Sequence, residues 1–183
     1  MKVRILVAAL TLSAAGLIGI AVQESYTATA IIPTAGDRPT SGFGSTVRED
    51  GSRVRMGDKT DPVRALRTVQ AHLGREEVQF RDSLPGVRLT QGEYDLYVDF
   101  MYQYGIGNWR ASSMRRHLLA TDEAQTPAWA NAEYKAACVA LLAWRKSAGY
   151  DCSTTINGKP NKRCWGVWDR QLKRHAQCQA EQK

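Results

Sequence analysis

The sequence predicts an α+β fold: a hydrophobic N-terminal helix, a small β-hairpin lobe, and then a larger, mainly helical lobe. Three observations predict it. An uncharged apolar run covers residues 5–22, a stretch rich in Gly, Pro, Thr and Asp covers residues 31–58, and apolar residues recur at helical spacing from residue 61 onward. At 183 residues, the chain has room for one folded domain plus a targeting segment.

The N-terminal run has the length and flanking charge of a membrane-directed segment. Its 18 residues, Ile5 to Val22, follow Lys2 and Arg4 and would span roughly 27 Å as a helix, close to the hydrocarbon thickness of a bilayer. Positive charge at its start keeps that end cytoplasmic, so the rest of the chain is expected to face the periplasm or the outside. Many Ala, Gly, Ser and Thr residues dilute the run, which makes it a weak anchor that is able to leave the bilayer.

A cleavable signal peptide is the competing interpretation of this run. Ala28-Thr29-Ala30 offers a small-x-small cleavage site at a suitable distance. Cleavage after Ala30 would discard Glu24, which the chemistry below favours as a catalytic acid. The choice between anchor and cleaved signal is therefore tied to the role of Glu24.

The stretch after the run indicates a hairpin and then a first long helix. Short β-prone pieces cover residues 40–47 and 53–56. At Asp61-Pro62, Asp is suited to cap a helix and Pro to occupy its first position, and Val63, Leu66, Val69 and Leu73 follow at spacings of three and four.

Further helix starts are marked by capping residues. Thr90 with Glu93 has the spacing of a capping box, in front of a helix that is expected to stop near Gly105 and Gly107. Three more helices are predicted: from Ser112 or Ser113 through Leu119, from Thr126-Pro127 to an end before Gly149, and over residues 166–180.

The four cysteines favour disulfides over metal ligation. They all lie in the last quarter of the chain, behind a membrane-directing N-terminus, and they form no CxxC pair. We expect no metal site. Four cysteines allow three pairings, of which we favour the one that closes the polar loop with Cys152–Cys164 and joins two helices with Cys138–Cys178.

The charge of the chain does not identify its partner. A formal net charge of +7 and a pI near 9.4 suit a nucleic acid, an anionic membrane surface or the anionic bacterial wall. The partner has to be inferred from the site.

Glycoside hydrolysis requires a carboxylic acid that protonates the leaving oxygen and a second group that attacks or activates water. Among the acids between the apolar run and the first long helix, only Glu24 lies against an apolar helix end. Apolar surroundings favour the protonated form of a carboxyl group, which a general acid needs near neutral pH. Glu24 is therefore the candidate acid.

Residues 36–46 form the sharpest motif, Gly-Asp-Arg-Pro-Thr-Ser-Gly-Phe-Gly-Ser-Thr. With Glu24, they resemble the phage lysozyme family, glycoside hydrolase family 24, in which a helix ends just after a catalytic Glu and a hairpin then carries an Asp and a Thr. The resemblance implies that Glu24 is the general acid, that Thr40 helps to place the attacking water, and that Asp37 is the second carboxylate. It also implies substrate contacts for Gly42 and Phe43.

The position of the second carboxylate departs from the commonest family pattern. That pattern has Asp nine residues after the Glu and six before the Thr, where this chain has Pro33 and Thr34. Neither side chain can act as a base, whereas Asp37 lies three residues before Thr40. If no second carboxylate acts, the reaction resembles that of lytic transglycosylases, in which a substrate hydroxyl attacks and leaves an anhydro sugar.

The resemblance extends over most of the chain. The segments 89–95 and 102–105 look like the family's helix with its Asn-x-Gly end, with Gln103 in place of Asn, and residues 166–170 look like its Gly-Leu-x-x-Arg-Arg segment. Gln103 and Arg170 are accordingly expected to bind substrate.

The resemblance implies a lysozyme-like fold and the signal-anchor-release subclass of endolysins. Residues 1–23 are then the anchor and residues 24–183 the catalytic domain. We expect a monomer that cleaves the β-1,4 bond between N-acetylmuramic acid and N-acetylglucosamine in peptidoglycan, without cofactor and without a nucleic-acid partner. It is expected to associate transiently with the host inner membrane through residues 5–22 and then to be released into the periplasm. The rival hypotheses are a lytic transglycosylase and a secreted, non-enzymatic wall-binding protein.

Overall fold

A computed structural model of the protein describes residues 2–33 and 36–183. These residues form two compact units: the hairpin unit, residues 11–80, and the helical unit, residues 2–10 together with 81–183. The predicted α+β class, with a small hairpin part and a larger helical part, is confirmed.

The helices and the hairpin follow one another in the predicted order, whereas the short strands outside the hairpin were not predicted. The elements are β1 (Ile5–Leu6), α1 (Ala14–Gln23), β2 (Tyr26–Ile31), β3 (Thr40–Phe43), α2 (Pro62–Asp82), β4 (Arg88–Leu89), α3 (Gln91–Ala111), α4 (Ser113–Glu123), α5 (Pro127–Ala140), β5 (Lys146–Ser147), β6 (Tyr150–Asp151), β7 (Thr155–Ile156), β8 (Lys159–Pro160) and α6 (Trp165–Glu181). The strands pair as four antiparallel two-stranded sheets, β1 with β4, β2 with β3, β5 with β6 and β7 with β8.

The apolar N-terminal run is not one helix, so the prediction of a helix over residues 5–22 is wrong for its first half. There, β1 pairs with β4, the Val7 amide donates to the Val87 carbonyl (2.9 Å), and Val7 and Leu10 are buried. The helix begins only after Ser13, whose hydroxyl accepts from the Gly16 amide (3.0 Å). An N-cap within the run and backbone partners on β4 therefore divide it.

The shortened helix bears on the membrane question. In the part of the chain that the structure describes, no helix combines the length and the apolar character needed to span a bilayer. The helix α1 has ten residues.

In the hairpin unit, residues 58–60 extend the β2–β3 pair on the other side of β2. The Ala30 amide donates to the Asp58 carbonyl and the Thr60 amide to the Ala28 carbonyl, both at 2.9 Å. The predicted cap of α2 is present, because the Asp61 carboxylate accepts from the Arg64 amide (2.8 Å).

The predicted strands over residues 40–47 and 53–56 are shorter in the structure. β3 ends at Phe43, because Ser41 and Ser45 exchange two backbone hydrogen bonds (3.0 and 3.1 Å) and turn the chain back on itself. The later piece contributes the isolated bridge between Val47 and Arg53. Tight turns therefore replace most of the expected strand.

The core of the helical unit lies around α3. Its start carries the predicted capping box between Thr90 and Glu93. The expected stop near Gly105 is a kink, since Gly105 is non-helical and the helix resumes to Ala111. The large side chains that are fully buried in this unit include Leu84, Leu89, Tyr94, Leu96, Tyr97, Phe100, Met101, Trp109 and Met114.

The later helices also start at their predicted caps. The Ser112 hydroxyl caps α4 and the Thr126 hydroxyl caps α5, with Pro127 in the first turn. α4 runs past Leu119 to Glu123, whereas α5 stops at Ala140, well short of the predicted end before Gly149, and a short 3₁₀ turn follows.

Two disulfides lie in the helical unit. Cys138 of α5 is joined to Cys178 of α6, and Cys152 to Cys164. This is the pairing that the sequence favoured.

Candidate active site

Glu24 lies where α1 ends. Its backbone leaves the helix (φ −100°, ψ 138°), its amide still donates to the Ala21 carbonyl (3.3 Å), and its side chain is half-buried. A Cβ atom built on Gly44 would lie 3.5 Å from Oε2 of Glu24. The carboxylate of Glu24 is therefore next to the Thr40–Gly44 segment.

The register of the hairpin explains this proximity. Tyr26 is opposite Phe43 and Thr27 is opposite Gly42 in the antiparallel pair of β2 and β3. The next positions outward, toward residue 24 on one strand and residue 44 on the other, must then approach each other. The chain connects the helix end directly to β2, so the fold itself brings the predicted acid to the predicted loop.

Gly42 holds the hairpin against α2. It is buried, its φ is +63°, and a Cβ atom there would lie 2.7 Å from Cβ of Ala65. Only glycine allows both the positive φ and this close approach without strain. The next residue, Phe43, is half-buried, and its ring packs against that of Tyr26, with 5.4 Å between the ring centroids.

Asp37 and Thr40 lie toward the closed end of the hairpin. Asp37 is exposed in the connection between β2 and β3, and Thr40 is half-buried at the start of β3, opposite Ile31. Of the two residues that replace the usual family Asp, Pro33 is exposed, and Thr34 lies outside the described residues.

Gln103 and Arg170 belong to the helical unit, where a buried ion-pair cluster contains both. Arg170 donates to Oδ1 of Asp99 (2.5 Å), and Arg174 donates to Oδ2 of Asp99 (2.6 Å) and to Oε1 of Gln103 (2.7 Å). Burial alone would raise the pKa of Asp99, but Arg174 and Arg170 outweigh it and hold that pKa below its ordinary value.

The sequence reasoning missed Asp99 and Arg174 in this cluster. The available signal was an Asp within the apolar part of one helix, together with two Arg residues four positions apart, and hence on one face, of another. The cluster shows that Gln103 and Arg170 have structural partners within their own unit.

Residues 2–33 and 36–183 contain no group of three or more His, Cys, Asp or Glu side chains arranged to hold a metal ion.

Solved structures share the fold of this chain at low sequence identity. They include an endolysin from the Escherichia coli O157:H7 phage FAHEc1 (24% identity, 93% of this chain and 94% of that chain covered, TM-score 0.70). A variant of P22 lysozyme is also similar (22% identity, 93% of this chain and 99% of that chain covered, TM-score 0.69). So is the muramidase domain of SpmX from Asticaccaulis excentricus (19% identity, 92% of this chain and 97% of that chain covered, TM-score 0.66). No curated protein matches the chain.

These structures show only the fold of the chain, whereas a family model shows the family to which it belongs. The model of phage lysozymes matches residues 21–163, a span that contains both Glu24 and the Thr40–Gly44 segment. Since that span is well over half of the chain, the protein belongs to the phage lysozyme family.

Proposed function

We propose that this protein is an endolysin that cleaves the β-1,4 bond between N-acetylmuramic acid and N-acetylglucosamine, with Glu24 as the general acid. The observation that carries the proposal is that a Cβ atom built on Gly44 would lie 3.5 Å from Oε2 of Glu24, inside the span that matches the family. Peptidoglycan is the substrate that membership of this family implies.

In the proposed reaction, the Glu24 carboxyl group gives its proton to the leaving glycosidic oxygen. Asp37 takes a proton from a water molecule that Thr40 positions, and this water attacks the anomeric carbon. The carbon–oxygen bond to N-acetylglucosamine breaks, and the hydroxyl from water becomes the new reducing end. Gly42 and Phe43 of the hairpin unit contact the sugars, and the substrate contacts of Gln103 and Arg170 stay predictions from the sequence.

The Glu24→Gln variant tests this assignment. It keeps the shape of the side chain and removes the transferable proton, so clearing of purified sacculi is expected to fall by at least about 100-fold, the usual contribution of a general acid. Glu123→Gln is the matched control, because Glu123 is exposed at the end of α4. Full clearing by Glu24→Gln would refute the assignment.

A lytic transglycosylase is the second candidate, and the exposure of Asp37 favours it. A carboxylate in an open connection is poorly placed to be a fixed base, and a transglycosylase needs only the acid. Mass spectrometry of the cut ends separates the two reactions. Reducing ends indicate hydrolysis, and anhydro ends, lighter by one water, indicate transglycosylation.

For the N-terminus, we propose that residues 1–23 act first as a signal-anchor in the host inner membrane and then leave it. In support, both halves of the run belong to folded units: β1 pairs with β4 in the helical unit, and α1 is part of the hairpin unit. The released protein then acts in the periplasm as a monomer.

N-terminal sequencing and fractionation of the exported protein test this proposal. We expect an intact N-terminus and a shift from the membrane fraction to the soluble fraction with time. A mature chain that starts at Ile31 would contradict it, and would support the rival hypothesis of a secreted wall-binding protein without Glu24.

A further inference from the structure

A pocket of about 840 Å³ opens on the hairpin unit, beside the residues that follow Thr40. Its wall is formed by the chain between Ser41 and Asp61 and by the first two turns of α2. Glu24 is not part of this wall. The volume is in the range of pockets that hold small organic ligands or short peptides.

Acidic and basic side chains are equal in number around this pocket, but most of the acids are already engaged. Asp58 pairs with Arg48 (2.7 Å) and accepts from the Arg55 amide (2.8 Å), and this amide and Arg48 hold its pKa below the ordinary value. Asp50 accepts from Ser52 (2.6 Å) and Asp61 caps α2. These carboxylates are therefore engaged within the protein.

The remaining cations give the pocket an anion-binding character. Lys59, Arg64 and Arg67 are exposed on its wall, and none of the three side chains has a hydrogen-bond or ion-pair partner among residues 2–33 and 36–183. Glu49 is the one acid of the wall that is likewise unengaged within these residues. A ligand with several carboxylates and an amino group would complement this set.

We propose that the pocket binds the peptide stem that peptidoglycan carries on its muramic acid, through the carboxylates of that peptide. The choice of ligand rests on the proposed function. Ser41 and Gly42 of the wall directly follow Thr40 in the sequence, so the pocket adjoins the segment that is proposed to hold the glycan strand. The concave shape and the acid Glu49 disfavour a flat anionic lipid surface.

The test is calorimetric binding of a synthetic stem tetrapeptide with free carboxylates to the full chain with its disulfides formed. We expect the double variant Arg64→Ala/Arg67→Ala to weaken binding about tenfold, because it removes two exposed ion pairs that each contribute little on their own. The control is Arg53→Ala/Arg75→Ala, which removes the same charge from exposed positions outside the pocket. The same peptide with amidated carboxylates is expected not to bind.

Three results would overturn the proposal: no binding of the free peptide, equal binding of the amidated peptide, or equal losses in the two double variants. Vesicles of phosphatidylglycerol and phosphatidylcholine are a further arm. If they bind through Arg64 and Arg67 while the peptide does not, the pocket is a lipid site. Because the peptide has no glycosidic bond, this experiment does not depend on catalysis, and failure of the Glu24 assignment is seen separately.

Discussion

Asp99 balances the charge of two buried arginines in the interior of the helical unit. It is the shared acceptor of two arginines whose side chains are almost fully buried, Arg170 and Arg174. A buried charge is tolerated only with a partner of opposite charge and complete hydrogen bonding. Asp99 therefore has a structural role in this cluster, whether or not Arg170 also contacts sugar.

Replacing Asp99 by Asn is expected to cost about 3–5 kcal/mol of unfolding free energy, because two buried guanidinium groups then face a neutral amide. Urea unfolding measures this loss. The matched control is Asp169→Asn on α6, whose partner Lys173 (2.7 Å) is exposed, so its loss is expected to stay below about 1 kcal/mol. Similar losses in the two variants would contradict the interpretation.

The same cluster predicts a dependence of stability on acid pH. The arginines hold the pKa of Asp99 below the ordinary value of 3.8, so the folded state binds fewer protons there than the unfolded state. The stabilisation from Asp99 is therefore fully present above about pH 3.8, the ordinary pKa of Asp, and is lost as the pH falls toward the lowered pKa of the folded state. Unfolding free energies between pH 2 and pH 6 are expected to fall less steeply on the acid side in Asp99→Asn than in the wild type, and parallel curves would contradict this.

Substitution of Gly42 is expected to destabilise the segment that lies next to Glu24. Gly42→Ala adds both strain at positive φ and a clash with Ala65, and we expect a loss of about 2–4 kcal/mol. Gly57→Ala is the control, because Gly57 has φ +90° and open space around it, and strain alone costs about 1–2 kcal/mol. Thermal unfolding compares them, and equal shifts in melting temperature would mean that the close approach does not matter.

At the scale of elements, the attachment of β1 depends on a buried ion pair. Arg4 forms two hydrogen bonds with Glu93 (2.7 and 2.9 Å), whose side chain is 1% exposed, and its guanidinium lies 3.7 Å from the centre of the Tyr134 ring. Lys2 pairs with Glu181 (2.5 Å), but its side chain is 53% exposed. The two cations that precede the apolar run therefore contribute unequally.

Arg4→Ala is expected to weaken the attachment of β1 to β4 by roughly 3 kcal/mol, because it leaves Glu93 buried without its cation. Lys2→Ala is expected to cost less than about 1 kcal/mol. Amide hydrogen exchange at Val7, which donates to the Val87 carbonyl, reports directly on this attachment. Exchange that accelerates equally in both variants would contradict the unequal contributions.

Local sequence signals predicted the elements well wherever a cap decides the boundary. Asp61, Thr90, Ser112 and Thr126 all cap the helices that they were expected to cap. The apolar run failed as one helix because its first half pairs with β4, more than 80 residues away in sequence, and hydropathy carries no information on such a partner. Asp99 was missed for the same reason, since its arginines lie 71 and 75 positions away.

At the scale of the whole molecule, the two disulfides constrain loops of different length. Cys138–Cys178 spans 40 residues and Cys152–Cys164 spans 12. In the chain-entropy model, these loops correspond to about 4 and about 3 kcal/mol of stabilisation. Replacing the first pair by Ala is therefore expected to lower the free energy of unfolding more than replacing the second, as measured by urea unfolding. The reverse order would contradict the model.

For the candidate site, the motif placed Glu24 beside the Thr40–Gly44 segment, and the fold brings them together. The catalytic roles of Asp37 and Thr40 stay predictions, because the sequence places Asp37 away from the usual family position and the structure leaves it exposed in a connection. The excess of unpaired cations around the pocket of the hairpin unit was not predictable, because it depends on which of the nearby acids already pair with groups of the protein.

Digestion of sacculi in water enriched in heavy oxygen, followed by mass spectrometry of the released fragments, tests the catalytic role of Glu24 and the attack by water together. The wild-type protein is expected to release fragments with reducing muramic acid ends, each carrying one heavy oxygen atom, and Glu24→Gln is expected to release none above background. Labelled fragments from Glu24→Gln at the wild-type rate, or no fragments from the wild-type protein, would contradict the assignment of this chain as a glycosidase that works through Glu24.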